Sequence, residues 1–191
     1  VYRFSVELKK NDFIEIPENS NLKEQAKILR FDTIEKIVKK QLYFVRGNLS
    51  NEEKKVLADF LFCDELYEYS QTEGFTMEDK KNIFHIETAL KPGVTDSSSR
   101  EALRAVKELG ILGVEEITSG KAYDIQGELT QSEIEKIAKS LLCNDVIEQY
   151  KIGFVEPAWA HEHDGKNEPN TKVELIDIAS MNDEELLALS N

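Results

Sequence analysis

The chain of 191 residues contains little cysteine, and its two cysteines are far apart. Cys63 and Cys143 form no CxxC pair, which argues against a zinc site or a disulfide scaffold. No apolar run approaches the roughly 18 residues that a membrane helix requires. The first residues also lack the hydrophobic block of a signal peptide. We therefore expect a cytoplasmic chain with two reduced thiols and no membrane partner.

Positive charge is also scarce. Lysine and arginine number 24 against 37 acidic residues, so the net charge at pH 7 is −13. A nucleic-acid-binding protein presents a concentrated basic surface, whereas this composition repels phosphate groups. We therefore expect no nucleic-acid partner. The 40% hydrophobic and 32% charged residues are ordinary for a folded protein.

The sequence does contain an internal similarity at a spacing of 80 residues. Alternating polar and apolar residues at 2–8 and 84–90 predict a half-buried strand near the start of each copy. Identities then recur without a gap over about 65 positions. The matched pairs include Leu29 and Leu109, Glu35 and Glu115, Ile37 and Ile117, Tyr43 and Tyr123, Gly47 and Gly127, Cys63 and Cys143, and Glu68 and Glu148. We interpret this pattern as a duplication.

Each copy carries signals for two helices. Capping boxes begin at Ser50 and Thr130, where a hydroxyl and a glutamate three residues later satisfy free backbone donors. Apolar stripes follow them at Val56, Leu57, Phe60 and Leu61, and at Ile134, Ile137, Ala138, Leu141 and Leu142. For the earlier helix of each copy we predict caps at Asn21 and Ser98. Their buried residues should be Leu22, Ala26 and Leu29, and Ala102, Val106 and Leu109.

The extended stretches complete a β-α-β-β-α-β order in each copy. Ser119-Gly120 lies within one such stretch and predicts a bend, a bulge or a tight hairpin. We therefore predict an α+β fold of two tandem ferredoxin-like repeats that associate as a pseudo-twofold dimer. The expected repeats are residues 1–80 and 81–156. An acidic linker and the start of a helix, 157–191, should lead into a longer polypeptide.

Few groups could carry chemistry. His161-Glu162-His163-Asp164 offers metal ligands, but it falls in the expected linker, so a metal site is the weaker interpretation. Lys91-Pro92-Gly93 and Ser97-Ser98-Ser99 could contact a phosphate, although a turn followed by a helix cap explains them more simply. His85 lies on the polar side of a strand, so we expect it to be exposed. No Ser–His–Asp set, P-loop or dinucleotide fingerprint is evident.

Several strings in the second copy resemble the PurS family, the small subunit of phosphoribosylformylglycinamidine synthase. They are LKPGVTD at 90–96, VEEITSGKAYDI at 114–125, and LLCN at 141–144 followed by VIEQY at 146–150. The resemblance covers 84–155. The first copy shares it only through the repeat, with Lys10-Asn11-Asp12-Phe13 in place of the LKPG turn. The last segment, 174–191, is similar to the region that leads into the synthetase (PurL) part of the same enzyme.

The resemblance implies a non-catalytic N-terminal assembly domain of a fused carbon–nitrogen ligase. In that family, ATP activates the amide oxygen of formylglycinamide ribonucleotide, and ammonia from glutamine displaces the phosphate. The implied partners are the synthetase (PurL-type) and glutaminase (PurQ-type) parts, which the domain holds together for ammonia transfer. ATP and Mg²⁺ would belong to the synthetase. This region alone should be inactive, without a catalytic residue, cofactor or metal of its own.

Partner contacts are expected from the turns and polar positions of the PurS-like motif. These residues are Lys91, Pro92, Gly93, Asp96, Gly120, Lys121 and Tyr123. The competing hypothesis belongs to a different functional class: a tandem regulatory module that binds a small metabolite between its copies. It rests on analogy with other paired ferredoxin-like folds.

Overall fold

Six strands form one antiparallel sheet in the order β3-β1-β2-β5-β4-β6. The structure is a computed structural model that describes residues 1–9, 16–72, 82–159 and 182. The strands are β1 (Tyr2–Leu8), β2 (Ile34–Gly47), β3 (Glu68–Thr72), β4 (Ile83–Leu90), β5 (Val114–Gly127) and β6 (Glu148–Ile152). The helices are α1 (Pro17–Ile28), α2 (Asn51–Val56), α3 (Ser97–Glu108) and α4 (Gln131–Ile137). The predicted α+β class is confirmed.

The alternation in β1 separates two faces of this sheet. Phe4 and Val6 are buried beneath the helices, whereas Arg3 and Ser5 lie on the opposite side. We call this opposite side the second face. It also carries Glu7, Lys40, Leu42, Phe44, His85, Glu87, Ala89, Ala122 and Asp124.

The helices divide the apolar core into two clusters, and each cluster uses both halves of the chain. In the first cluster, Leu57 after α2 packs with Val106 of α3. In the second, Ala26 of α1 packs with Ile134 and Ile137 of α4. Neither half therefore has a complete core, because each cluster combines strands and helices of both halves.

Both capping boxes are confirmed, at Ser50 with Glu53 and at Thr130 with Glu133. The helices that they begin each continue into a π-helical turn, Leu57–Leu61 or Ala138–Leu142. A π turn adds a residue to the turn and rotates later positions away from the regular stripe. Phe60, which the stripe assigned to the core, is consequently 74% exposed.

The other two predicted caps are wrong. Asp96 caps α3 by accepting a hydrogen bond from the Ser99 amide, so the helix begins one residue before Ser98. α1 begins at Pro17, whose fixed backbone angle favours the first helical position, and Asn21 lies inside the helix. Leu29 and Leu109 follow the last residues of α1 and α3 as C-caps and are 42% and 54% exposed. The prediction that both leucines belong to the buried faces of these helices is therefore wrong.

The prediction of a bend, bulge or hairpin at Ser119-Gly120 is also wrong. β5 runs unbroken for 14 residues, so each half has the order β-α-β-α-β instead of β-α-β-β-α-β. Position 120 requires glycine because of the packing of the neighbouring strand. A Cβ there would lie 2.4 Å from the Thr88 carbonyl oxygen, so glycine permits the close approach of β4 and β5.

β2 and β5 pair along their whole length at the centre of the sheet. Gln41 lies opposite Lys121, Lys39 opposite Tyr123 and Tyr43 opposite Ser119. The pairing is therefore symmetric about Gln41 and Lys121, two residues that the 80-residue spacing matches to each other. Register shifts occur near both ends of this pairing, between Ile34 and Lys36 and between Arg46 and Gly47.

Candidate functional site

The Lys91-Pro92-Gly93 turn follows β4 and is fastened to the turn before β6. The Lys91 amide donates to the Ile147 carbonyl at 2.9 Å, and the Lys91 ammonium donates to the Asp145 carbonyl. Gly93 has a φ of +83°, a left-handed conformation that glycine adopts readily. Pro92 and Gly93 are exposed. The lysine therefore stabilises a turn and does not point freely into solvent.

The turn to which Lys91 binds presents apolar side chains to solvent. Val146 is 77% exposed and Ile147 is 40% exposed. The Asn144 side chain accepts from the Val146 amide at 3.2 Å, and Glu148 accepts from the Asn144 amide at 2.9 Å. These bonds hold two apolar side chains outward beside the exposed Pro92, as expected of a protein contact surface.

The first half carries the same arrangement. The Lys9 amide donates to the Tyr67 carbonyl at 2.7 Å, and its ammonium donates to the Glu65 carbonyl. Leu66 and Tyr67 beside it are 79% and 66% exposed. Lys9 is thus the structural counterpart of Lys91.

The 80-residue spacing does not match Lys9 to Lys91, because the two lysines are 82 residues apart. Leu8 pairs with Glu68, and Leu90 pairs with Glu148. The first strands of the two halves are therefore related by 82 residues, whereas the later elements are related by 80. The interpretation that Lys10-Asn11-Asp12-Phe13 replaces the whole LKPG turn is corrected: the lysine recurs, and the proline and glycine do not.

Three of the expected contact residues have structural roles. Tyr123 is 4% exposed, and burial raises the pKa of its hydroxyl, which donates to the Leu142 carbonyl. Gly120 is buried within the sheet. Asp96 accepts from the Ser99 and Ser119 amides at 3.0 and 2.7 Å, and although its burial opposes ionisation, these bonds lower its pKa. Burial and hydrogen bonds thus give Tyr123, Gly120 and Asp96 a place in the fold, and their part in partner contacts stays a prediction.

Lys121 is partly exposed and is also bound to the fold. Its ammonium is 2.8 Å from Glu148, whose side chain is only 9% exposed, and the lysine side chain is 37% exposed. Glu148 also holds the turn at Asn144, so Lys121 supports the exposed turn from behind. We infer an indirect part for this residue, through the position of the turn.

The second face holds a charge network that the sequence did not reveal. His85, expected to be exposed, is 3% exposed, with Nδ1 2.6 Å from Asp124 and Nε2 3.2 Å from Glu87. Asp124 is 2.8 Å from the Lys40 ammonium, which is also 3.4 Å from Glu7. Buried charges require partners of this kind, since an unpaired one is costly.

The segment 153–159, which we call the strap, explains this burial. The Gly153 amide donates to the His85 carbonyl at 2.8 Å, and the Val155 amide donates to Glu87 at 2.8 Å. Arg3 donates to the Val155 carbonyl at 3.0 Å and lies 3.3 Å from Glu87. The alternation along β4 predicted that His85 is exposed. A local pattern of this kind cannot indicate that the strap, 68 residues after Glu87 at Val155, packs over the strand.

The buried imidazole titrates in an environment that favours its charge. Burial opposes the charged form of His85, but the hydrogen bonds to Asp124 and Glu87 outweigh it and raise the pKa. Asp124 responds in the opposite direction: burial again opposes its charge, and its bonds to His85 and Lys40 lower its pKa.

We therefore expect the free energy of unfolding to decrease as the pH rises above about 6.5, the unfolded pKa of histidine. The pKa of His85 is higher in the folded chain than in the unfolded chain. Its protonation therefore stabilises the fold fully at pH values below the unfolded pKa, and this stabilisation is lost as the pH rises through the folded pKa. One proton contributes at most about 1.4 kcal/mol per pH unit. Urea unfolding across this range should show the decrease in the wild type and a flatter profile for His85→Gln. The double variant His161→Gln, His163→Gln should retain the decrease; equal slopes in wild type and His85→Gln would contradict the prediction.

Among the described residues, the two cysteines show no sign of activation. Cys63 and Cys143 are free thiols, and burial raises the pKa of each. His161-Glu162-His163-Asp164 lies outside the described residues. Across the described ranges, no cluster of three metal-ligand side chains occurs, and no helix is long and apolar enough to span a membrane.

The fold and its surfaces define an α+β module with two lysine-fastened turns, one near each edge of an antiparallel sheet. Residues 83–156 match the family described as PurS: Phosphoribosylformylglycinamidine (FGAM) synthase. This region is therefore a PurS-like domain, which confirms the resemblance noted for 84–155. No curated protein matches the chain significantly.

Proposed function

We propose that the chain is the non-catalytic assembly domain of an FGAM synthase, acting in purine biosynthesis. The match of residues 83–156 to PurS carries this proposal. The whole enzyme would be a fused ATP- and glutamine-dependent ligase that converts formylglycinamide ribonucleotide to its amidine in the cytoplasm. Its synthetase part would hold ATP and Mg²⁺, its glutaminase part would release ammonia, and the present chain alone would be inactive.

The duplication is part of this proposal. Its support is the equivalent pairing of β1 with β3 and β4 with β6, and the symmetric pairing of β2 with β5. Two PurS-like repeats, 1–80 and 81–156, would then form an internal pseudo-twofold dimer with a continuous sheet. The contribution of both halves to each core cluster supports an obligate association of the halves.

The proposed docking surface for the synthetase and glutaminase parts is the exposed patch of Lys91, Pro92, Gly93, Val146 and Ile147. Its apolar side chains are exposed on a turn whose backbone is held by hydrogen bonds, and a fixed backbone reduces the entropy lost on binding. The patch of Lys9, Leu66 and Tyr67 offers a second, similar surface at the other edge of the sheet. Lys121 supports the first patch through Glu148, and Asp96, Gly120 and Tyr123 belong to the fold that carries it.

The test measures coupling in the full-length enzyme. Val146→Asp places a charge in the patch without touching the core, so glutamine-dependent activity should fall about tenfold, equivalent to about 1.4 kcal/mol of interface free energy. Activity with ammonium as nitrogen donor should remain within about twofold of wild type, since the synthetase chemistry is untouched. Leu112→Asp is the matched control because Leu112 is 86% exposed on a different loop. An unchanged ratio of the two activities in Val146→Asp would exclude the docking surface.

One observation favours the second candidate, a regulatory module that binds a small metabolite. A cavity of about 640 Å³ lies on the second face and is lined by residues from both halves. Its size is typical of a small-molecule site. A thermal-shift screen with amino acids and purine nucleotides tests this function; a stabilising ligand would support it.

A further inference from the structure

The cavity on the second face lies between the sheet and the strap. Leu42, Phe44 and Ala122 supply apolar surface from the sheet, and Val155 and Trp159 supply it from the strap. Trp159 is 7% exposed and lies beneath the Arg46 guanidinium, 4.9 Å from its ring centroid. The cavity can therefore hold the apolar or planar body of a small molecule.

Arg3 is fixed at this cavity with hydrogen-bonding capacity to spare. Its guanidinium lies 5.2 Å from the Phe44 ring and 4.8 Å from the Phe154 ring. Its bonds to Glu87 and to the Val155 carbonyl both use Nη2. An arginine has five N–H donors, and among the described residues the Nη1 donors have no partner. The cation is thus preorganised, and one edge of its fork remains available.

Two further donors lie on the same side of the sheet. Ser5 follows Arg3 by two residues on β1, and Gln71 of β3 lies directly opposite Ser5. All three side chains line the cavity. Within the described ranges, neither the Ser5 hydroxyl nor the Gln71 amide has a hydrogen-bond partner. Residues at i and i+2, and residues opposite each other across a strand pair, lie within reach of one bound group.

The basic groups at the cavity are Arg3, Lys40 and His85, and its lining also includes the carboxylates of Glu87 and Glu156. Lys40 and His85 are paired with Glu7, Asp124 and Glu87, so Arg3 is the cation that offers open donors. The carboxylate of Glu87 already accepts from Val155 and contacts Arg3 and His85, so it has little capacity to bind a cationic ligand. The Arg3 Nη1 donors, the Ser5 hydroxyl and the Gln71 amide lie together on the other side of the guanidinium, and donors grouped around a guanidinium bind carboxylate or phosphate.

We propose that this cavity binds a small organic anion, with Arg3, Ser5 and Gln71 holding its carboxylate or phosphate group and Phe44 and Trp159 contacting its apolar body. The inference does not depend on the docking function, because the site lies on the second face and is complete within this chain. It specifies the ligand that the regulatory alternative requires.

Calorimetric titration of the 191-residue chain tests the proposal with three probes: benzoate, adenosine 5′-monophosphate and adenosine. We expect at least one of the two anions to bind, and adenosine to bind at least about tenfold more weakly than adenosine 5′-monophosphate where the latter binds, since it lacks the charged group. Binding of benzoate alone would identify a carboxylate ligand, and binding of the nucleotide alone a phosphate ligand. Absence of binding by both anions overturns the proposal.

Variants assign the binding to these residues. Arg3→Gln should weaken anion binding by about tenfold or more, because a charge-assisted bond is lost. Ser5→Ala and Gln71→Ala should each weaken it by about threefold to tenfold. Both side chains lack partners among the described residues, so these variants should fold even if Arg3→Gln does not. Ser70→Ala is the control on the same strand, on the other side of the sheet. Wild-type affinity in both Ser5→Ala and Gln71→Ala would overturn the assignment.

Discussion

Glu87→Ala is expected to lower the free energy of unfolding by about 3–5 kcal/mol, the usual cost of removing one partner from a buried ion pair. Glu87 is 1% exposed. Its carboxylate lies 3.3 Å from Arg3 and 3.2 Å from His85, and it accepts from the Val155 amide at 2.8 Å. Alanine would leave all three groups without this partner and would release the strap. Urea unfolding at neutral pH measures the loss.

The control is Glu108→Ala. Glu108 also faces an arginine, with its carboxylate 3.1 Å from Arg104, but the two side chains are 68% and 72% exposed. Solvent screens such pairs, so the loss should stay below about 1 kcal/mol. Quenching of the Trp159 fluorescence provides a second readout, because release of the strap would expose this buried ring. Comparable losses in Glu87→Ala and Glu108→Ala would show that the network does not stabilise the strap.

The sequence predicted the elements whose determinants are local. Capping boxes at Ser50 and Thr130 need only four consecutive residues, and both occur as expected. The alternation at 84–90 likewise predicted β4. The predicted caps of α1 and α3 were wrong because two other helix-start signals, Pro17 and Asp96, lie a few residues earlier.

Features that depend on distant residues could not be read in this way. Gly120 indicated a bend locally, yet its cause is the Thr88 carbonyl of the neighbouring strand. His85 and Glu87 alternate as solvent-facing residues do, yet the returning strap packs over them. The cavity at Arg3 and Gln71 combines β1, β3 and the strap, so no local motif marks it.

Residues 82–159 in isolation are expected to form a homodimer. Without the first half, β5 would lose its neighbour β2 along almost its whole length. Ile134 and Ile137 would also lose the packing of α1, leaving an apolar surface beside an unpaired strand edge. A fragment of this size is marginally stable alone. Two copies could satisfy both needs, because β5 would pair with β5 through the same symmetric register that relates β2 to β5.

Light scattering after size-exclusion chromatography should therefore give twice the fragment mass at micromolar concentration, whereas the 191-residue chain, which holds both halves, should remain monomeric. Ile137→Asp is the decisive variant. It places a charge in the shared cluster, where Ile137 is 0% exposed, so the fragment should lose both its dimer and its cooperative unfolding. Leu112→Asp, at an exposed loop, should retain both. A stable monomeric fragment would mean that each half holds a sufficient core, and the sharing of each cluster between the halves would then be a detail of packing and not the reason for the paired fold.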